Sequence, residues 1–267
     1  MQNTGSLFIV ATPIGNLDDI TVRALAVLRG VDIIACEDTR KSMVLLNRYG
    51  IKRRLVSLHR YSESGRYAEL VGYLKQGKSM ALITDAGTPG VSDPGAYLVN
   101  QALENNIKVV PVPGPSALAC AVSVSGIAGP GFVFIGFMPS TAADRERVIK
   151  KYCALGIPLI FYESPRRLSG TMGAIRDIAG ECTALVFKEL TKVHEEAVRG
   201  SMSEVIDRLE HGVTRGEYTV IVDCKGYEGG AGKTAYERKS LIAIASSMTG
   251  LDKREIYKRL FRKDSVG

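Results

Sequence analysis

Short apolar runs alternate with longer amphipathic segments along the first 115 residues. The runs are LFIVA (7–11), VDIIAC (31–36), RLVSL (54–58), SMALIT (79–84) and KVVPV (108–112). Segments between them, such as ITVRALAVLR, have the spacing of apolar positions that is typical of a helix. The apolar runs show little polar alternation, which indicates strands covered by helices on both faces. The pattern therefore predicts an N-terminal α/β domain, residues 1–115, built on a parallel sheet.

The pattern changes in the second half of the chain. Its apolar runs are FVFIGF (132–137), PLIFYE (158–163), ALVFKE (184–189) and YTVIVD (218–223), and helices are expected near 165–178 and 203–211. We predict a second α/β domain with a mixed sheet over residues 116–226. The following stretch, KGYEGGAG (225–232), contains four glycines and is typical of a flexible linker.

Residues 233–267 are predicted to form a basic helical appendage, with helices at about 235–248 and 252–263. Asp252 followed by Lys-Arg-Glu has the D-x-x-E form of a capping box. The appendage has nine Lys or Arg against four acidic residues, an excess of five within a net charge of +7 for the whole chain. A helical pair of this kind serves either dimerisation or nucleic-acid binding, and its charge favours RNA or DNA.

Composition and residue spacing exclude several classes of protein. The chain is 45% hydrophobic and 24% charged, which is typical of a folded globular protein. It has no apolar run long enough to span a membrane, and its start lacks the basic region of a secretory signal, so we expect a cytoplasmic protein. Five scattered cysteines without a Cys-x-x-Cys pair, and three widely separated histidines, predict neither a disulfide framework nor a metal site.

Three loops rich in glycine and proline each directly follow a predicted strand. They are ATPIGN (11–16), DAGTPGVSDPG (85–95) and PVPGPSA (111–117). Glycine lets the backbone approach a ligand closely, and proline stiffens a loop before binding. Because ligands bind at the carboxyl ends of parallel strands, the three loops predict a pre-formed cleft rather than three unrelated turns. Asp93, beside Pro94, is expected to cap the helix that follows the second loop.

Polar residues also follow several predicted strands. CEDTR places Glu37, Asp38 and Arg40 after the second strand, with Thr39 expected to cap the next helix. FYESPRR and FKELTK place further charged residues at strand ends, namely Glu163, Arg166, Arg167, Glu189 and Lys192. Catalysis and plain structural roles, as salt bridges or helix caps, are both open for these groups.

GGAGKT (229–234) lacks the first glycine of a phosphate-binding loop, which argues against nucleotide hydrolysis. The chain also has no Gly-x-Ser-x-Gly elbow, which argues against serine hydrolase chemistry.

Taken together, ATPIGNLDDITVRAL, ACEDTR, DAGTPGVSDPG, VPGPSA, GFMPS, FYESPRR and KELTK resemble the ribosomal RNA small subunit methyltransferase I family. The resemblance covers roughly residues 6–223 in the same order. It implies a tetrapyrrole-methylase-like fold, with two α/β domains that bind S-adenosylmethionine in the cleft between them, and a homodimer. The implied reaction is methylation of the 2′-hydroxyl of a cytidine ribose in the decoding region of small-subunit (16S) ribosomal RNA.

The resemblance also implies which residues contact the cofactor. These are Thr12, Pro13, Gly87, Thr88, Pro89, Gly90, Val91, Ser116, Ala117 and Phe137. A ribose hydroxyl is a poor nucleophile, so the reacting end of the cleft needs a proton acceptor and cationic groups. Our hypothesis for that end comprises Glu37, Asp38, Arg40, Glu189 and Lys192.

RNA contact is expected from basic side chains, because they neutralise phosphates. The candidates are Lys52, Arg53, Arg54, Arg60, Arg66, Arg145, Arg147, Arg166, Lys253, Arg254, Lys258 and Arg259. The partner would be small-subunit ribosomal RNA or the assembled small subunit, without a membrane or a metal. SLHRYSE departs from the family by having Ser62 where members have Asn, which puts a substrate role at that position in doubt.

Two alternatives remain open at this point. One is an enzyme of the same fold that methylates a carbon of a tetrapyrrole intermediate such as a precorrin or uroporphyrinogen, since the carboxylates of tetrapyrroles also attract arginine. The other is a ribosome-assembly factor that binds RNA through this fold without catalysis. The basic tail and the surface arginines weigh against the first alternative.

Overall fold

The computed structural model describes residues 4–58, 64–93, 95–127, 131–210, 215–225, 227, 242, 246 and 251–261. These residues form two five-stranded sheets with helices packed against them. The α/β architecture predicted from the sequence is confirmed.

The first sheet is entirely parallel. Its strands are β1 (Ser6–Val10), β2 (Ile33–Cys36), β3 (Arg54–Ser57), β4 (Met80–Ile83) and β5 (Lys108–Val112), in the order β3-β2-β4-β1-β5. The connecting helices are α1 (Val22–Gly30), α2 (Thr39–Arg48), α3 (Ser64–Lys75) and α4 (Ala96–Glu104), and α5 (Ala117–Ser125) follows β5. The order makes β4, β1 and β5 neighbours, and these are the three strands that lead into the loops rich in glycine and proline.

Both faces of this sheet are buried, as the continuous apolar runs predict. Ile33 and Ile34 are consecutive residues of β2, yet each is buried in a different apolar cluster. The cluster that contains Ile33 includes Leu70 of α3 and Leu98 of α4, whereas the cluster that contains Ile34 includes Leu28 of α1. Successive side chains of a strand point to opposite faces, so a strand with helices on both faces must be apolar at every position.

The second sheet is mixed, as predicted. Its strands are β6 (Val133–Phe137), β7 (Leu159–Glu163), β8 (Thr183–Lys188), β9 (Glu196–Ser201) and β10 (Tyr218–Asp223), in the order β6-β7-β10-β8-β9. Only β6 and β7 pair in parallel, and the other pairs are antiparallel. Helices α6 (Ala142–Cys153), α7 (Pro165–Ala179) and α8 (Met202–Glu210) pack on it. Strand β9 was not predicted from the sequence, because it is an edge strand of exposed and half-buried residues without an apolar pattern.

The final described helix, α9 (Lys253–Phe261), begins where the capping motif predicts. The Asp252 carboxylate accepts a hydrogen bond from the Arg254 amide at 2.7 Å, and the Asp252 carbonyl accepts one from the Ile256 amide at 3.1 Å. Most of the other predicted tail helix, about 235–248, lies outside the described residues, as do Arg60 and Ser62.

Candidate functional site

The three loops rich in glycine and proline meet and bind one another. Thr12 and Gly87 form an isolated antiparallel bridge, with N–H to O distances of 2.9 and 3.0 Å. The buried Thr12 hydroxyl also donates to the Thr84 carbonyl at 3.0 Å, and the Thr88 hydroxyl donates to the Pro115 carbonyl at 3.1 Å. Because each loop is bonded to another, the loops form one rigid surface at the carboxyl edge of the first sheet.

This surface forms one side of a cavity of about 270 Å³ between the two sheets. A volume of this size is near the lower end of the ~300–1,000 Å³ that is usual for small-molecule sites. The loop side contributes Ile14, Ala86, Gly87, Thr88, Val91, Asp93, Ser116 and Ala117. The side of the second sheet contributes Phe137, Tyr162, Glu163, Ser164, Pro165, Gly216, Glu217, Tyr218 and Thr219.

The expected cofactor residues fall into two groups. Those lining the cavity are Gly87, Thr88, Val91, Ser116, Ala117 and Phe137. Thr12, Pro13, Pro89 and Gly90 lie in the same loops but are not part of the lining. Thr12 lies behind the residues that line the cavity. Its backbone and hydroxyl form hydrogen bonds that hold two of the loops together.

Two expected helix caps are wrong. Asp93 lines the cavity and does not cap α4. The helix instead begins after Gly95, whose φ of +140° is accessible to glycine. A Cβ built at Gly95 would lie 2.7 Å from a Leu82 methyl group. Thr39 is the first residue of α2, and Asp38 is its cap, accepting from the Arg40 amide at 2.8 Å. For α2 the cap is the polar residue next to the one expected, whereas α4 begins after a glycine and has no side-chain cap.

Tyr162 and Asp93 line the cavity, although neither was predicted to be a site residue. Tyr162 packs edge-on against Phe137 at 5.5 Å and against Phe134 at 5.0 Å, so an aromatic cluster forms part of the cavity wall. Burial raises the pKa of Tyr162, so its phenol keeps its proton to a higher pH than an exposed tyrosine does. The sequence signals were the place of Tyr162 in FYESPRR, at the end of an apolar run, and that of Asp93 in the loop DAGTPGVSDPG.

Glu163 also lines the cavity, but its carboxylate is fully engaged. It is 2% exposed, and it accepts from the Ser164 amide at 2.7 Å and from the Thr171 hydroxyl at 2.8 Å. Arg167 pairs with it at 2.5 Å and donates to the Met138 carbonyl at 3.0 Å. A buried carboxylate with this many partners is a structural anchor that ties α7 to β6 and β7.

Glu189 and Lys192 are brought together with Glu217. The Lys192 ammonium donates to Glu189 at 2.9 Å and to Glu217 at 3.0 Å, while the Glu217 amide donates to the Glu189 carboxylate at 2.8 Å. Burial favours neutral Lys192, but its hydrogen bonds to the two carboxylates outweigh burial and raise its pKa. Burial likewise opposes the charge on Glu189, whose pKa is nevertheless lowered by Lys192 and by the Glu217 amide. We call these three residues the Lys192 cluster.

The backbone around the Lys192 cluster is held in uncommon conformations. Glu189 has a φ of +54° and Thr191 a φ of +65°, in the left-handed region that non-glycine residues seldom occupy. The Thr191 amide donates to Glu195, and the Thr191 hydroxyl accepts from the Asn16 amide at 3.1 Å. Such conformations persist when surrounding contacts determine them, and they concentrate at functional sites.

Glu37, Asp38 and Arg40 occupy another part of the same sheet edge, after β2. Arg40 is 88% exposed and pairs with Asp38 at 2.8 Å, so much of this interaction is screened by water. The hydrogen bonds from the Arg40 side chain lower the pKa of Asp38 below its usual range. Asp85 joins this group, accepting from the Asp38 amide at 3.1 Å and from the Lys41 ammonium at 2.7 Å. None of Glu37, Asp38 and Arg40 belongs to the lining of the cavity.

The expected RNA contacts are spread over several surfaces. Lys52, Arg53 and Arg54 are exposed next to and within the edge strand β3. Arg66 pairs with Glu69 at 2.7 Å, and Arg147 pairs with Asp144 at 2.6 Å. Arg145 is half-buried, Arg166 is exposed at the start of α7, and Lys253 and Arg254 are exposed at the start of α9. Lys258 and Arg259 lie in α9, and their side chains are outside the described part of the structure.

The described residues contain neither a metal-binding cluster nor a membrane-spanning helix. Among them, no group of three or more His, Cys, Asp or Glu is arranged to hold a metal ion. No helix in the same part of the chain has the length and apolar character needed to cross a membrane.

Residues 6–206 match the family model described as Tetrapyrrole (Corrin/Porphyrin) Methylases. A ribosomal RNA small subunit methyltransferase I from Thermotoga maritima is 46% identical over 83% of this chain and 99% of its own length. One of the same name from Mesorhizobium japonicum is 42% identical over 98% of this chain and 94% of its own length.

Solved structures with low sequence identity share the fold. Diphthine synthase superposes with a TM-score of 0.66 at 15% identity, over 82% of this chain and 89% of that one. Uroporphyrin-III-C-methyltransferase from Thermus thermophilus superposes with a TM-score of 0.57 at 17% identity, over 84% of this chain and 97% of that one.

Proposed function

Because the chain belongs to the ribosomal RNA small subunit methyltransferase I family of the tetrapyrrole methylases, we propose that it methylates the 2′-hydroxyl of a cytidine ribose in the decoding region of 16S ribosomal RNA. The methyl donor in this proposal is S-adenosylmethionine. The observation that carries it is the cavity formed where three mutually bonded loops leave the adjacent strands β4, β1 and β5.

The residues of the cavity fit S-adenosylmethionine. Gly87, with a φ of +78°, and the small side chains of Ala86 and Ala117 leave room for a ligand against the backbone. Phe137 and Tyr162 offer apolar ring surface, and the acidic side chains of Asp93 and Glu217 suit a ligand that carries positive charge. The bound cofactor would supply an electrophilic methyl group on a sulfonium, for transfer by in-line displacement. The rigid loops of this chain supply the alignment that such a displacement needs.

The Lys192 cluster provides the charges that the acceptor requires. A ribose hydroxyl must lose its proton as the new bond to carbon forms, and the carboxylate of Glu189 can accept that proton. Lys192, held protonated by its two partners, can stabilise the negative charge that develops on the oxygen. In this proposal Glu37, Asp38 and Arg40 line the approach to the reacting end from β2.

Binding of RNA is assigned to the exposed basic side chains and to the basic tail. We propose that Lys52, Arg53 and Arg54, together with the other basic candidates, neutralise phosphates of the small subunit. We further propose that the protein is a cytoplasmic homodimer, with domains at residues 1–115 and 116–226 and a helical appendage at 233–267. The resemblance of the sequence motifs to the family supports the homodimer and the two α/β domains, and the charge and capping motif of the tail support the appendage.

Deleting residues 233–267 should weaken binding to the small ribosomal subunit and flatten the dependence of affinity on salt. The deletion removes nine basic and four acidic residues, so fewer counterions are released from RNA on binding. The measurement is the affinity for small subunits over a series of salt concentrations, with cofactor calorimetry as the control for folding. A salt dependence equal to that of the full chain would assign the tail to dimerisation or folding instead.

The activity itself is tested in two steps with the full-length protein. Calorimetry with S-adenosylmethionine asks first whether the cofactor binds. Transfer of a labelled methyl group is then compared among small subunits that lack the modification, naked 16S RNA and a tetrapyrrole precursor. Methylation of subunits or RNA supports the proposal, methylation of the precursor overturns it, and cofactor binding without transfer would indicate an assembly factor.

A further inference from the structure

A groove lies beside the cavity. It encloses about 900 Å³ and is lined by Gly15, Asn16, Leu17, Asp18, Arg48, Glu189, Thr191, Lys192, Val193 and His194. Ile14 lines the cavity while its neighbour Gly15 lines the groove, and Glu217 lines the cavity while its partner Lys192 lines the groove. Cavity and groove are therefore separated by the 14–15 backbone and the Lys192 cluster.

Lys192 is held at its ammonium end by hydrogen bonds. Glu189 and Glu217 are also joined to each other by two hydrogen bonds. The Glu189 amide donates to the Glu217 carbonyl at 2.9 Å, and the Glu217 amide donates to the Glu189 carboxylate at 2.8 Å. Gly216, with a φ of +119°, packs closely enough that a Cβ there would lie 3.1 Å from the Glu189 side chain. These contacts fix the Glu189 carboxylate and the backbone of Glu217, from which the Glu217 carboxylate reaches Lys192.

The aliphatic part of the Lys192 side chain packs directly against Gly15. A Cβ built on Gly15 would lie 2.4 Å from Cγ of Lys192, 2.8 Å from the Thr191 hydroxyl and 2.9 Å from the Leu190 carbonyl. Real Cβ atoms essentially never approach other heavy atoms this closely, so any side chain at position 15 must displace Lys192 or the turn that carries it. The Asn16 amide, one residue further on, fixes the same turn through Thr191 at 3.1 Å.

We propose that Gly15 and Glu217 are positioning residues that hold Lys192 at the boundary between the cavity and the groove, where methyl donor and acceptor ribose would meet. Gly15 sets the path of the side chain, and Glu217 orients its charged end. This inference rests on the proposed function, because it assumes that the cavity holds the donor and that the groove admits the acceptor. It does not require Gly15 or Glu217 to take part in the chemistry.

The first test is Gly15→Ala, with Gly30→Ala as the matched control because a Cβ on Gly30 meets no atom within 4 Å. We expect Gly15→Ala to lower kcat for methylation of small subunits about tenfold or more, while the calorimetric Kd for S-adenosylmethionine changes less than about threefold. Gly30→Ala should leave both unchanged. A wild-type kcat in Gly15→Ala, or a loss confined to cofactor affinity, would overturn the role of Gly15.

The second test is Glu217→Gln, with Glu196→Gln as its control because Glu196 pairs with Lys188 at 2.8 Å on the neighbouring strands. Glu217 helps to raise the pKa of Lys192, so removing its charge lowers that pKa and Lys192 loses its proton at lower pH. The ratio of wild-type to variant kcat should therefore grow as the pH rises towards the lowered pKa of Lys192 in the variant. The other charged groups near Lys192 are Glu189, in contact with it, and Asp18, Arg48 and His194, which line the same groove.

A third measurement does not depend on activity. Lysines labelled by reductive methylation with ¹³C-formaldehyde give the pKa of Lys192 by NMR titration, with Lys192→Arg to assign the resonance. The pKa should be lower in Glu217→Gln than in wild type, and unchanged in Glu196→Gln. An equal pKa in Glu217→Gln and wild type would overturn the role of Glu217. If the wild-type protein bound the cofactor but methylated no RNA, the proposed function would be wrong. The titration would still show whether Glu217 raises the pKa of Lys192.

Discussion

Replacing Ala117 by Trp is expected to raise the Kd for S-adenosylmethionine about 100-fold or more, because an indole would fill much of the site. Ala117 is the first residue of α5 and lines the cavity of about 270 Å³. Its helix start is fixed by Ser116, whose hydroxyl accepts from the Ala119 amide, so the larger side chain cannot easily turn away. Calorimetry with the purified variant measures the effect directly.

Ala119→Trp is the matched control for this variant. Ala119 is exposed on the same helix and does not line the cavity, so cofactor affinity should stay at the wild-type value. Thermal unfolding of both variants separates loss of binding from loss of folding. Wild-type affinity in folded Ala117→Trp would place the cofactor site elsewhere.

Replacing Lys192 by Ala, or Glu189 by Gln, is expected to slow methyl transfer by roughly 100-fold or more while cofactor affinity is retained. Lys192→Ala removes the cation nearest the two carboxylates, and Glu189→Gln removes a proton acceptor and one partner of Lys192. Single-turnover methylation of small subunits at saturating cofactor measures the step itself. A rate loss of this size corresponds to about 2.7 kcal/mol of lost transition-state stabilisation.

The control for this pair is Lys188→Ala. Lys188 immediately precedes Glu189, but its ammonium pairs with Glu196 and it lies outside the lining of both the cavity and the groove. We expect its rate to stay close to wild type. Wild-type rates for Lys192→Ala and Glu189→Gln would exclude both residues from the reacting end. Glu37 and Asp38 would then be the remaining acidic candidates there.

The sequence was sufficient to predict the part of the site that depends on strand order along the chain. Apolar runs followed by glycine and proline identified the three loops, because buried parallel strands and tight loops at their ends both have strong compositional signals. The meeting of those loops then follows from parallel strands sharing one edge. For the loops to meet, β4, β1 and β5 must also be neighbours in the sheet, and the strand order of the structure shows that they are.

The rest of the site depends on contacts between distant residues, which spacing cannot reveal. Lys192 and Glu217 are 25 positions apart and meet because β8 and β10 pair antiparallel, with Lys188 opposite Tyr218. The turn between β8 and β9 was not predictable either, since the polar edge strand β9 lacks an apolar pattern. Gly15 was visible as part of ATPIGN, but only the packing of Lys192 against it shows why a side chain is not accommodated there.

The most direct test of the central claim is a map of ribose methylation in 16S ribosomal RNA from cells with and without the protein. The proposed function predicts that one 2′-O-methyl mark, on a cytidine of the decoding region, is absent without the protein. Purified wild-type protein with S-adenosylmethionine should restore the mark on small subunits from those cells, and Ala117→Trp should not. Identical methylation maps with and without the protein would contradict the proposed function.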